Sequence, residues 1–183
     1  MRAVVIFESM YGNTHQVADA IGDGLSSAGL DVTVVPVSHV NPAMLDSDDL
    51  VVVGGPTHMH GMSRAASRKA AVKAAGQPAS PLTVEPDALG PGLREWFDTL
   101  GRYPARAAAA FDTRLHGRPM VTGQAAKGVA HRLRAHAFHL VAEPESFLVT
   151  KQDRLDAGET ARAREWGARL AASVTGQTAG QRG

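Results

Sequence analysis

The stretch Val4-Val5-Ile6-Phe7-Glu8-Ser9-Met10-Tyr11-Gly12-Asn13-Thr14 decides the fold. Its apolar run, Val4–Phe7, is too short for a helix and reads as a buried strand. The run ends abruptly in small and polar residues, and a helical pattern follows at once. Gly12 permits a turn that other residues resist. Asn13 and Thr14 are suited to cap the helix that follows. Strand, tight turn and helix start together aim backbone N–H groups and hydroxyls at one point, a geometry that holds a phosphate. It does so without a cation, because no Lys or Arg lies between Ala3 and Gly61.

The details separate phosphate-binding classes. A nucleotide triphosphatase loop needs a Lys before its Ser/Thr and a longer glycine-rich arc. Asn13 stands where that Lys would be. A dinucleotide fold needs three spaced glycines, and only Gly12 is present. The segment resembles the phosphate loop of the flavodoxin family, Ser/Thr-x-Thr-Gly-Asn-Thr, which grips the single phosphate of FMN. Ser9, Gly12, Asn13 and Thr14 match, and Tyr11 replaces the usual Thr. Ser9-Met10-Tyr11-Gly12 is also similar to the NAD(P)H:quinone oxidoreductase branch of the superfamily.

The pattern along the chain alternates strand and helix. Strands are expected at Ala3–Phe7, Val32–Val37, Leu50–Val53 and Arg106–Phe111. A fifth, interrupted near Pro144, joins Phe138–Val141 to Phe147–Thr150. Helices are expected at Asn13–Ala28, Ala65–Ala75, Leu93–Leu100, Gly123–Ala137 and Ala157–Ser173. Alternation of this kind argues for an α/β three-layer sandwich around a parallel sheet. The resemblance implies five strands in the order 2-1-3-4-5, with the ligand crevice between strands one and three. Residues 1–174 read as one domain carrying an insertion at about 76–101. The segment 175–183 reads as a flexible polar tail.

Composition narrows the function. The chain has 183 residues, 19 basic and 18 acidic side chains and a net charge of +1. That balance makes no case for nucleic acid or membrane binding. No apolar run is long enough to span a bilayer, and the first residues do not form a secretory signal. The chain has no cysteine. Disulfides, thiolate nucleophiles and cysteine-held metals are therefore excluded. The expected location is the cytoplasm.

Two more loops complete the site that the resemblance implies. Gly54–Arg64, after strand three, would border the flavin ring with Pro56, Thr57, His58, Met59 and Gly61. Asp112–Arg118, after strand four, would border its other side with Asp112, Thr113 and Arg114. Ser9, Met10, Tyr11, Gly12, Asn13 and Thr14 would hold the phosphate end. Neither ring-side loop contains Tyr, Trp or Phe, so the flat or soft contacts would be His58, Met59, His60, Met62 and His116. Arg64, Arg114 and Arg118 stand where family carriers place acidic residues. A cation near the reduced ring favours its anion, which predicts a higher potential than in those carriers. These arginines have an alternative use as partners of Asp112 and Asp153.

His58 and His60 share the spacing of two metal ligands on an extended segment, but no third ligand is evident and no metal is expected. Glu8 precedes the phosphate loop. A carboxylate there would repel a phosphate, so its side chain is expected to point away. No dedicated acid, base or nucleophile stands out. The resemblance implies an FMN-binding protein that transfers electrons with a redox partner protein. One alternative is an FMN oxidoreductase taking hydride from NAD(P)H for a quinone or small acceptor, a choice the near-neutral charge mildly favours over an acidic shuttle. Another is a scaffold that keeps the phosphate loop without flavin.

Overall fold

A computed structural model describes residues 1–78 and 80–180. Four parallel strands form the centre of the sheet: β1 (Arg2–Phe7), β2 (Asp31–Pro36), β3 (Leu50–His58) and β5 (Ala107–Leu115). They lie in the order β2-β1-β3-β5. Two short strands, β6 (His139–Leu140) and β7 (Glu145–Val149), flank β5 one after the other. Ala107 and Ala108 pair with β6, and Phe111 to Leu115 pair with β7. They therefore act as one interrupted fifth strand, as the sequence predicts. The order 2-1-3-4-5 holds when that pair is counted once. The seventh strand, β4 (Gly61–Met62), folds back antiparallel on the end of β3.

Alternation along β1 explains the two covered faces. Ala3, Val5 and Phe7 point to one face, where they pack with Val17, Ile21, Leu25, Trp166 and Leu170. Those residues come from α1 (Asn13–Ser27) and α7 (Glu159–Gly180). Val4 and Ile6 point to the other face, with Leu45, Leu93, Phe97, Val129 and Leu133. These belong to α2 (Pro42–Ser47), α4 (Leu93–Thr99) and α6 (Ala125–Ala135). Helices α1 and α7 cross with almost no side chain between them. A Cβ on Gly24 would lie 2.0 Å from the Arg164 carbonyl oxygen, and one on Gly167 would lie 2.3 Å from that of Ile21.

Several boundaries differ from the sequence reading. Strand β3 does not stop at Gly54-Gly55-Pro56 but runs through them to His58. Gly54 makes room for the Phe111 ring, which a Cβ there would approach to 2.4 Å. Pro56 is tolerated because β1 ends opposite Gly54, leaving β3 with β5 as its parallel neighbour. Strand β5 continues to Leu115, since β3 and β7 both pair with its polar end. Helix α2 escapes the apolar pattern because it buries only Leu45. Its Asn41-Pro42 start carries the signal, with the Asn41 side chain capping the Ala43 N–H at 3.0 Å. The helix expected over Gly123–Ala137 shortens to α6, and a separate turn of helix, α5 (Pro119–Thr122), precedes it with Gly123 at positive φ between them. Helix α7 extends beyond Ser173 to Gly180, because no residue there breaks it. Residues 175–180, expected in the tail, continue the helix, and 181–183 lie outside the described residues.

Candidate functional site

The turn after β1 builds one end of the site. Gly12 is the residue before α1 and adopts φ 91°, with no side-chain cap on the helix. The first intrahelical bond is from the Gln16 N–H to the Gly12 carbonyl, at 2.9 Å. The N–H groups at the start of α1 precede that bond and keep the positive end of the helix open. Ser9 Oγ accepts from the Gly12 N–H at 3.1 Å and tightens the turn. Asn13 and Thr14, expected as caps, bridge to other elements instead. The Asn13 amide donates to the Asp153 carbonyl at 3.0 Å and to its carboxylate at 3.2 Å. The Thr14 and Thr113 hydroxyls lie 2.7 Å apart.

The carboxyl ends of β1, β3, β5 and β7 open into one cleft of about 230 Å³. Ser9, Met10, Tyr11, Asn13 and Thr14 line it from the first turn. Pro56, Thr57 and His58 come from β3, and Thr113 and Arg114 from β5. Three segments far apart in sequence thus meet, as a parallel sheet requires at its carboxyl edge. The Tyr11 hydroxyl donates to the Ala71 carbonyl at 2.8 Å, tying the loop to α3 (Ala65–Ala75).

Three further lining residues, Leu115, Val149 and Asp153, were not among the sequence candidates. Leu115 follows from the extra length of β5. Val149 ends β7 and Asp153 follows it, and the same carboxyl-edge rule applied to the interrupted strand is the signal that finds them.

Other sequence candidates lie elsewhere. Met59 is 89 % exposed, and Gly61 borders a separate groove with Arg64 and Arg94. Met59 and His60 take positive φ at the β3–β4 turn, and Met62 is buried against α6. His116 pairs with Asp156 at the surface. Arg64 and Arg118 precede α3 and α5 and do not line the cleft. Asp112 is fully buried, with its Oδ2 accepting from the Ala126 N–H at 2.8 Å and the Thr57 hydroxyl at 3.1 Å. Thr57 Oγ1 in turn accepts from the Ala125 N–H at 2.9 Å. Asp112 and Thr57 therefore hold the start of α6, and burial raises the Asp112 carboxyl above its ordinary value.

The charges facing the cleft are few. Arg114 is the cation among its lining residues. Its Nη1 donates to the Gly117 carbonyl at 2.8 Å and to Thr122 Oγ1 at 3.1 Å, which fixes the guanidinium on the α5 side. Its Nε is buried with no hydrogen-bond partner among the described residues. Burial lowers the His58 imidazole below its ordinary value, Glu8 opposes this and Arg68 adds to it. The ring is accordingly neutral at pH 7 and offers a flat, uncharged face. Among the described residues no three His, Cys, Asp or Glu side chains gather in a metal-holding group.

Glu8 faces the opposite way from the phosphate loop, as expected. It is 6 % exposed, accepts from the Leu93 N–H at 2.9 Å and receives the Ser63 hydroxyl on its other oxygen. Arg68, also buried, donates to Ser63 Oγ at 3.1 Å and to Glu95 at 3.1 Å. This network docks the inserted segment onto the sheet. The Glu85 N–H adds a bond to the Met10 carbonyl at 2.9 Å, and His15 meets the Glu85 carboxylate at 3.2 Å. The insertion therefore packs behind the phosphate loop.

Comparison with known proteins bears on this arrangement. Residues 5–83 match the profile of the family described as Flavodoxin. Among solved structures, an archaeal flavodoxin superposes with a TM-score of 0.65 at 20% identity, covering 96% of this chain and 99% of that one. Flavodoxin 1 of Bacillus cereus gives 0.64 at 18%, covering 94% and 98%. A WrbA-like flavodoxin from Agrobacterium tumefaciens gives 0.58 at 19%, covering 95% and 97%. The structural likenesses carry the fold, and the profile match covers the segment that builds the phosphate loop and the first three strands.

Proposed function

We propose that the chain binds FMN in the cleft and passes electrons through it to and from a redox partner protein. The observation that carries this reading is the convergence of the carboxyl-end segments of β1, β3, β5 and β7 on one cleft that has the open start of α1 at one end. The residues suit the group. A helix N-terminus with Gly12 at positive φ accepts a phosphate closely, and Ser9, Asn13 and Thr14 add polar hydrogens around it. Bound FMN supplies reversible one- and two-electron transfer.

In this reading Ser9, Tyr11, Asn13 and Thr14 hold the phosphate with Gly12, and Met10 backs the loop from the core. Pro56, Thr57 and His58 border the near edge of the ring. Thr113 and Arg114 border the far edge. Met59, Gly61 and Asp112, which lie away from the cleft, have no contact role. Arg114 places a positive charge beside the ring without an acidic cluster to offset it, so the potential is set above that of acidic carriers. The same reading puts the protein in the cytoplasm, consistent with a chain that has no cysteine.

Titration of the purified protein with FMN tests the reading. Saturable quenching of flavin fluorescence with a shifted visible band is expected, and no binding would overturn it. Anaerobic mixing of the flavin-loaded protein with NADPH then separates a carrier from an enzyme. Slow or absent reduction without a reductase is expected, and rapid direct reduction would favour the oxidoreductase.

A further inference from the structure

The Asn13 amide carries two hydrogens, and both contacts that it makes in the cleft go to Asp153. A phosphate at the start of α1 needs that same amide. Asp153 is set in place by a tight turn after β7: its N–H donates to the Thr150 carbonyl at 3.0 Å, and the Thr150 N–H donates to the Arg154 carbonyl at 2.8 Å. Its backbone takes φ 57°, in the left-handed region. One carboxylate oxygen meets Asn13, while the other, Oδ2, is buried with no hydrogen-bond partner among the described residues. An acceptor-only carboxylate thus sits on the donor that the phosphate loop presents.

We propose that Asp153 sets the cleft's selectivity for phosphorylated ligands, because its carboxylate competes with the ligand's phosphate for the Asn13 amide. This deepens the FMN reading and rests on it for the ligand's identity, but the competition concerns any phosphate at this loop. Two anions cannot share one neutral amide without repulsion. A phosphate therefore binds to the extent that the carboxylate turns away or takes up a proton.

Burial raises the Asp153 carboxyl above its ordinary value, and the Asn13 hydrogen bond pulls it back. The other titratable or charged groups around the cleft are Tyr11 from the first turn, His58 from β3 and Arg114 from β5. The Tyr11 phenol is itself raised, by burial and by Asp153, and stays protonated at pH 8. His58 is lowered by burial, so it adds no charge above neutrality. Asp153 and the phosphate itself, with His58 below neutrality, are then the groups that change charge in the acid-to-neutral range. Loss of the Asp153 proton as pH rises strengthens the competition, and the phosphate's own second ionisation strengthens it further.

Calorimetric titrations with inorganic phosphate and with FMN, at pH 5.5 and pH 8, test this on the full chain and on Asp153→Asn. Asparagine tolerates the left-handed backbone and removes the charge. The variant is expected to bind both ligands about tenfold more tightly than the parent at pH 8, with the difference shrinking at pH 5.5. Asp153→Gly, which suits the same φ and adds no amide, should reproduce the gain. Equal or weaker phosphate binding by Asp153→Asn at pH 8 overturns the proposal, as does a gain that Asp153→Gly fails to share. If phosphate behaves as expected while FMN binds none of the three proteins, the competition stands and the flavin reading falls.

Discussion

Glu8 and Asn13 stand five positions apart on one strand-to-helix turn, and the structure uses them in opposite ways. Glu8 closes a buried network in which both its oxygens are engaged, by the Leu93 N–H and the Ser63 hydroxyl. That network fastens the insertion. Asn13 lies at the mouth of the cleft and holds another loop through bonds that a ligand can replace. Thr14 does the same with Thr113. Two buried polar groups in one short segment thus divide into a structural anchor and, in the proposed FMN reading, an exchangeable binding group. What distinguishes them is where each sits on the turn: Glu8, just after β1, meets Leu93 and Ser63, while Asn13, at the start of α1, meets Asp153.

Substitutions can break that contrast. Glu8→Ala strips the acceptor from Leu93 and Ser63 and leaves Arg68 with one fewer neighbouring negative charge in a buried setting. It should lower stability by about 3 kcal/mol, the scale for a broken buried charge network. Urea unfolding measures this, and FMN affinity of the folded protein should stay unchanged. Gly24→Val forces apart the α1–α7 crossing, where the space for a Cβ is already taken by the Arg164 carbonyl. A loss of about 2 kcal/mol is expected from overpacking, read from the same unfolding curves. On the cleft side the pattern reverses. Thr14→Ala and Asn13→Ala should each weaken FMN binding about tenfold, the equivalent of about 1.4 kcal/mol, while unfolding midpoints shift little.

The smallest effect sharpens the comparison through pH. Burial lowers His58 in the folded chain, so below its unfolded value the unfolded state binds more protons than the folded one. Stability conferred by the neutral ring is therefore present above about pH 6.5 and declines as pH falls below it. Replacing His58 by Gln should flatten that slope in a series of urea midpoints between pH 7.5 and pH 5.

The sequence makes the first turn legible because its signals are local. A four-residue apolar run, a glycine and two polar residues at a helix start lie side by side, and each restricts the backbone for its own reason. The faces of α1 and the halves of the fifth strand are legible from periodicity in the same way. What escapes the sequence depends on pairing. Strand β3 runs through Gly54-Gly55-Pro56 because β5 offers partners there and Phe111 fills the space above Gly54. Asp112 reads as a loop residue until the longer β5 turns it inward to hold α6. Asp153 joins the cleft only because β7 ends beside β5, a contact made across 140 residues from Asn13.

The most direct test of the central claim is the phosphorus NMR spectrum of the protein with bound FMN. If the start of α1 holds the phosphate, the bound resonance should be displaced from that of free FMN and move back toward it in Thr14→Ala. A bound flavin whose phosphorus signal coincides with free FMN and is indifferent to Thr14→Ala would contradict the account.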